Sequence, residues 1–288
     1  MTSDLEALVV AAYVFADEYP VPARRGRPAG ISDAELVALA VCQAAMGISS
    51  DRQFLGLVGH RLPGWFPQLP SQSQYNRRLR ALVELICAVQ LRLARRLDRG
   101  GPRLVDGTLI GCASYPGCVA RSEFAGFARY GYQKSHHRFL WGVRLVLVSD
   151  PRGLPLGYTL VPASEKEYEP LADLLTGVAA ETVIADKGLW GKAYRQRLGA
   201  DDVELLTPAK QRTHTNAAVE RRLASVRLAI ESVFSSLKGP MRLERHLAKT
   251  PAGLAVRIAQ RLLALTIGIL LNTLTGRPAR ALAAYDGR

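Results

Sequence analysis

The feature that most limits how this chain can fold is a change of hydrophobic period at Gly100-Gly101-Pro102. Before that point apolar residues recur at helical spacing; after it come short runs rich in β-branched residues, broken by turn-forming clusters. The first part predicts only helices. Ser3-x-x-Glu6 is a capping box opening a helix that stops near Tyr19, ahead of Pro20 and Pro22. Ser32-x-x-Glu35 caps a second helix running to Gly47, and Ser50-Asp51 starts a third that ends near His60. After the Pro- and Gly-rich LPGWFPQLP, one long helix is predicted from about Ser71 to Leu97, polar and basic at its start and apolar later. Short helices followed by a basic helix N-terminus fit a helix-turn-helix-like unit. Gln72, Gln74, Asn76, Arg77 and Arg78 are then the groups able to reach bases or phosphates. A plain helical bundle with a solvated face fits the same pattern.

The second part predicts a sheet. Arg103–Ile110 (RLVDGTLI) reads as a strand that contains Asp106, and Phe139–Val148 (FLWGVRLVLV) as another, after a loop holding Cys112, Cys118 and several glycines. Asp150-Pro151-Arg152-Gly153 is a turn, and Leu154–Val161 returns as the hairpin partner. A short helix over Glu167–Leu175, a buried strand Thr182–Ala185 ending at Asp186, a helix near Lys192–Leu198 and a strand Val203–Thr207 follow. A hairpin followed by alternating helix and strand implies an α/β fold, with a mixed five-stranded sheet flanked by helices. From Arg222 to Gly239, Leu223, Val226, Ile230, Val233, Phe234 and Leu237 fall on one side of a helix at about 100° per residue. Arg227, Glu231 and Lys238 fall on the shoulder of that stripe. The domains expected are a helical DNA-binding region over 1–100, an α/β domain over 101–275 and a C-terminal tail over 276–288.

Charge points to a partner. The formal net charge is +13 and hydrophobic residues make up 48% of the chain, so a core and a cationic surface are both available. Residues 1–100 carry 12 Lys and Arg against 9 Asp and Glu, whereas residues 187–261 carry 15 against 6. A concentrated surplus of this kind suits a polyanion, nucleic acid foremost. Arg25-Gly26-Arg27-Pro28 resembles the core of an AT-hook, although a flexible basic connector reads equally well. Cys42 and Cys87 lie in apolar helical runs; Cys112 and Cys118, with His136 and His137 nearby, have a spacing that suits structural zinc poorly. Nothing marks a disulfide scaffold, so a reducing cytoplasm is expected. The apolar run Leu262–Leu271 is too short to span a bilayer and reads as a buried helix, with no membrane partner expected.

Three carboxylates stand out. Asp106 lies in the first strand of the second part and Asp186 ends its fourth, where active groups of such sheets gather. Glu231 sits on a helix predicted to cross them. Asp150, Asp201, Asp202, Glu165, Glu167 and Glu169 each have a turn, loop or helix-start explanation that Asp106 and Asp186 lack, since buried strands rarely carry an unpaired Asp. Three carboxylates held around one point repel one another unless cations lie between them, and hard oxygen donors suit Mg²⁺ or Mn²⁺. Two such ions about 4 Å apart clamp the attacking and leaving oxygens of an in-line phosphoryl transfer. Arg227, Lys187 and Lys238 flank these positions and suit the non-reacting phosphates.

These residues resemble the catalytic signature of DDE transposases of bacterial insertion sequences. The resemblance rests on Leu104-Val105-Asp106-Gly107-Thr108, on Ile184-Ala185-Asp186-Lys187-Gly188 and on Arg227-x3-Glu231-x6-Lys238, with separations of 80 and 45 residues between the acids. The stretches around Leu36–Gly47, the QSQYNRRLR run, His137–Val148 and Gly153–Leu160 extend it over most of the chain. The resemblance implies an RNase H-like catalytic fold and divalent-metal dependence. It implies hydrolysis at the ends of a mobile element to free a 3′-OH, then attack of that hydroxyl on target DNA without a covalent protein–DNA intermediate. By matching position, Asp106, Asp186 and Glu231 are the expected ligands of two metal ions, and Arg227 and Lys238 the expected DNA contacts. Related signatures often place Tyr three residues before the Arg, where this chain has Ala224. Trp190 reads as a base-stacking residue or as a core tryptophan. Double-stranded DNA, both element ends and target, is the expected partner of a homodimer or higher oligomer. A nuclease that only cuts, or a non-catalytic DNA-binding protein derived from a transposase, is the alternative.

Overall fold

The structure is a computed structural model that describes residues 4–19, 30–66, 68–113, 115–133, 137–165, 171–176, 178, 182–185, 203–206 and 217–287. The chain divides into two compact units, one of Met1–Arg96 with Ser236–Arg288 and the other of Leu97–Ser235.

The first unit is helical. Its N-terminal helices are α1 (Asp4–Asp17), α2 (Asp33–Ala45), α3 (Asp51–Arg61), α4 (Gln72–Ala81) and α5 (Val83–Leu97). Local chemistry fixes their starts. The Ser32 hydroxyl accepts from the Glu35 N–H at 3.0 Å while the Glu35 carboxylate accepts from the Ser32 N–H at 2.6 Å, satisfying two donors that a helix end leaves unpaired. Ser71 and Gln74 form the same box at α4, and Ser50 caps α3. Ser3, the expected cap of α1, lies outside the described residues.

The single helix predicted from Ser71 to Leu97 is two helices, α4 and α5, separated at Leu82. There the Leu82 N–H is shared between the carbonyls of Arg78 and Leu79, at 3.0 and 3.1 Å. Apolar periodicity runs unbroken through Leu79, Leu82 and Ile86, all buried, so the pattern alone does not reveal the break. The helix Pro251–Leu274 belongs to the same unit and packs against α1, α2 and α4. Pro251 at its first turn and the Thr250 cap set its start. It is long and apolar enough to cross a membrane, yet 83% of its most apolar window is buried inside the fold. The buried helix expected around Leu262–Leu271 is its second half. Residues 276–287 return to it: Tyr285 donates to Asn272 at 2.8 Å, and Arg277 pairs with Asp4.

The second unit is built on a mixed sheet flanked by helices. Its strands are β1 (Arg103–Gly111), β2 (Arg129–Gln133), β3 (Arg138–Ser149), β4 (Pro155–Pro162), β5 (Thr182–Ala185) and β6 (Glu204–Leu206). Among the described residues the order is β2-β3-β1-β5-β6, with β4 also on β3. β1 is antiparallel to β3 and parallel to β5, which is parallel to β6. The sheet thus has one strand more than the five expected. β2 falls in what reads from the sequence as a loop, because RYGYQ holds only two aromatic residues, Tyr130 and Tyr132, and both are exposed.

The β3–β4 turn forms as predicted. Asp150 accepts the N–H groups of Arg152 and Leu154, both at 2.9 Å, and Gly153 adopts the positive φ (89°) that the turn needs. Helix α6 (Leu171–Thr176) packs on β3 and β4. Helix α7 (Ala217–Lys238) buries Ala229, Ile230, Val233, Phe234 and Leu237, the last part of its predicted apolar stripe. The helix Pro251–Leu274 is α8 below. The basic linker at 23–29 and the helix expected near Lys192–Leu198 lie outside the described residues.

Candidate active site

β1 is the strand on which the site is built, because it lies between β3 and β5. Along it Arg103, Leu104, Val105, Thr108, Leu109 and Ile110 are buried, while Asp106 and Gly107 are half-buried. The strand therefore opens at its carboxylate. One Asp106 carboxylate oxygen (Oδ1) accepts the Gly107 N–H at 2.7 Å. Across the antiparallel pairing Asp106 stands opposite Leu147, and across the parallel one Val105 stands opposite Ala185. The last residue of β5 is thus beside the residue that precedes Asp106. Asp186 follows Ala185 in the chain and, like Lys187 and Trp190, lies outside the described residues.

Glu231 is exposed on α7, next to the buried Ile230 and two residues before the buried Val233. The side chain of Arg227 lies outside the described residues. Lys238 pairs with Glu244 at 3.0 Å. Asp150, set aside from the sequence as a turn residue, is 2% exposed and held by Arg152 at 2.7 Å. Arg103, 1% exposed, is held by both oxygens of Asp98 at 2.8 Å. These two ion pairs keep the base of the sheet free of uncompensated charge.

The polar groups expected to reach DNA from the first unit divide by role. Arg78 is half-buried, donating to Asp33 at 2.7 Å and to the Ile31 carbonyl at 2.8 Å. Asn76 donates to Asp51, and Gln74 completes the cap of α4. Gln72 and Arg77 are exposed. Sequence reasoning passed over Arg80 and Lys249, which line a cleft of about 310 Å³ with Gln72, Asn76 and Thr250. A signal was available: residues 77 and 80 are three apart and share a helix face, whereas 78 turns away from it.

Beneath that cleft lies a buried network. Asp51 receives Arg257 at 2.5 Å and Gln43 at 2.9 Å, and Gln43 in turn accepts from Tyr75 at 3.0 Å and from Arg257 at 3.2 Å. Burial holds the Tyr75 phenol well above its ordinary range, against the pull of Arg257. Arg261 is enclosed by the carbonyls of Met241, Arg257 and Arg242; burial, then the charge of Arg257, lowers its pKa to about 9.

Cys42 and Cys112 are each pushed up to about 12 by burial. The Cys118 thiol donates to the Tyr115 carbonyl at 3.0 Å. Among the described residues no group of three or more His, Cys, Asp and Glu is placed to hold a metal ion, a set that leaves out Asp186 and His136.

Comparison with known proteins agrees with this architecture. The protein-family model described as "Transposase DDE domain" matches residues 100–267. A solved structure, the cryo-EM structure of a piggyBac transposase synaptic complex with hairpin DNA, is similar at a TM-score of 0.50 and 9% identity, over 99% of this chain and 76% of that one. At that identity the likeness concerns the fold. No curated protein matches the chain.

Proposed function

Since this chain belongs to the family of the transposase DDE domain, we propose that it is a DNA transposase that cuts insertion-sequence ends and joins the freed strand to target DNA, with Asp106, Asp186 and Glu231 as its catalytic carboxylates. The observation that carries this reading is the opening of β1 at Asp106, next to the strand that leads into Asp186. In parallel strands adjacent residues keep step, and the register Val105 to Ala185 supports reading the aspartate that follows Ala185 as a neighbour of Asp106. Glu231, exposed beside a buried stripe of α7, supplies the third.

The donor chemistry fits the implied metal. Asp106, half-buried, and Glu231, exposed, carry hard carboxylate oxygens, the donor type that Mg²⁺ or Mn²⁺ takes. When bound, two such ions supply charge stabilisation for the attacking and leaving oxygens of phosphoryl transfer. The chain's own groups do the rest. Arg227, Lys187 and Lys238 hold phosphates near the cut. Arg77, with Arg80 and Lys249, grips the duplex from the helical unit. Arg78 anchors α4 through Asp33 and so sets the position of Arg77 rather than contacting DNA itself. The protein acts on double-stranded DNA as a homodimer or higher oligomer, in the cytoplasm at the nucleoid.

Labelled element ends incubated with Mg²⁺ test the assignment. Wild type is expected to nick them, while Asp106→Asn and Asp186→Asn bind the ends and leave them whole. Equal nicking by wild type and either variant removes that aspartate from the site. Joining of the cut ends to a target plasmid separates the transposase from a nuclease of the same fold.

A further inference from the structure

The loop that leads from α7 into α8 holds a leucine in an unusual position. Leu247 has a φ of 53°, in the left-handed region that a bulky side chain rarely enters, and it is 63% exposed. Its surroundings keep it there. Met241, Leu243 and His246 are buried, and the Ala248 N–H donates to His246 Nδ1 at 3.0 Å. On the far side Thr250 caps α8, accepting the Gly253 N–H at 3.0 Å. Upstream, the buried Arg261 donates to the carbonyls of Met241 and Arg242 at 2.7 and 3.4 Å. Gly47 lets the Pro240 carbonyl oxygen approach where any Cβ would collide. A loop pinned on both sides of one strained, exposed leucine gives up stability to present it, as functional segments do.

Leu247 stands at a cationic cleft. It lines the cleft of about 310 Å³ together with Arg80 of α4 and Lys249. Both cations are exposed, and among the described residues neither forms a salt bridge. The other two charges that line the cleft, Asp51 and Arg257, bind each other. Glu244, the one acid in residues 239–250, pairs with Lys238 at 3.0 Å. The cleft thus keeps two uncompensated positive charges in the same space as one apolar side chain.

That combination selects an occupant. A single leucine offers far less than the roughly 800 Å² per side that a stable protein interface buries, and a second copy would bring the same cations. Duplex DNA suits both features. Its phosphates take the cations, and one apolar side chain is enough to enter a base step as a wedge, unstacking it and kinking the duplex. We propose that Leu247 is such a wedge, entering a base step of duplex DNA that lies across this cleft while Arg80 and Lys249 hold the flanking phosphates. The proposal rests on the reading of the helical unit as a grip on duplex DNA, and adds that the grip deforms what it holds.

The test uses the full chain in EDTA and a short duplex of mixed sequence with several adenines replaced by 2-aminopurine, which brightens when unstacked. Anisotropy of a terminal dye reports occupancy. Wild type is expected to raise the 2-aminopurine emission on binding. Leu247→Ala and Leu247→Gly are expected to bind, because the cations remain, and to lose the rise; Leu247→Met, which keeps an apolar wedge, is expected to restore it. Leu247→Gly is also expected to melt no lower than wild type, since glycine takes a positive φ without strain. Arg80→Ala with Lys249→Ala is expected to flatten the slope of log Kd against log salt by about 2, the loss of two phosphate contacts. Wild type that binds without the rise, or a rise that survives Leu247→Ala, overturns the wedge and leaves the grip standing. An unchanged salt slope overturns it by removing the two cations from the site. A lower melting temperature for Leu247→Gly overturns it by making the leucine a packing residue, and a wild-type dimer that Leu247→Ala splits does so by making it a self-association contact. Wild type that binds no duplex overturns the grip as well, and cleavage of element ends measured in parallel shows whether the transposase activity stands without it.

Discussion

Asp51 shows how much a single side chain can decide in this protein. It is 6% exposed and shares its oxygens among Arg257, Gln43 and Asn76. Removing one member of such a pair leaves a buried charge uncompensated, which costs about 3–5 kcal/mol. Asp51→Ala is therefore expected to lower the unfolding free energy, measured by urea denaturation, by that amount, and Asp51→Leu with Arg257→Met by much less than two such losses. Additive losses from the two single substitutions would show that the pair is not coupled. From the sequence Asp51 reads only as the start of a helix; its ion pair is 206 residues away and has no local signal. Asp106 was legible for the opposite reason, because a carboxylate in an otherwise apolar strand is anomalous wherever the strand is placed.

Elements were legible in proportion to how local their causes are. The capping box at Ser32 needs only residues 32–35, and it forms as the spacing predicts. Ser32→Ala is expected to destabilise the chain by about 1 kcal/mol, the usual value of a lost N-cap; urea denaturation that finds no change would mean that α2 is held by packing alone. The break at Leu82 and the strand β2 were hidden because their causes are tertiary. At Leu82 one continuous apolar pattern runs from α4, which buries Tyr75 and Leu79, into α5, which buries Ile86, Val89 and Leu93. In β2 the residues Tyr130 and Tyr132 owe their strand to pairing with β3, not to any core of their own.

At the scale of the molecule the sequence divides the chain at 100, whereas contacts join Ser236–Arg288 to the N-terminal helices. Eleven of the thirteen residues of α2 are buried, and α8 is one of the helices that cover them. A fragment of residues 1–96 is thus expected to lack a cooperative thermal transition, while the same fragment joined by a linker to 236–288 regains one. A sharp melt by the short fragment, followed by circular dichroism, would contradict this. The charge excess at 187–261 also spans this division, since Lys249, Arg257 and Arg261 belong to the helical unit.

By itself the sequence determined the class of each part, the anomalous carboxylates, the caps and the concentration of positive charge, because periodicity, capping and charge are written within a few neighbouring residues. Only the tertiary structure decided that Val105 pairs with Ala185, that Arg78 serves Asp33 while Arg77 faces water, and that Leu247 shares a cleft with Arg80 and Lys249. Each of those depends on which distant segment a residue meets, and burial and strand register assign that meeting only when the whole core closes.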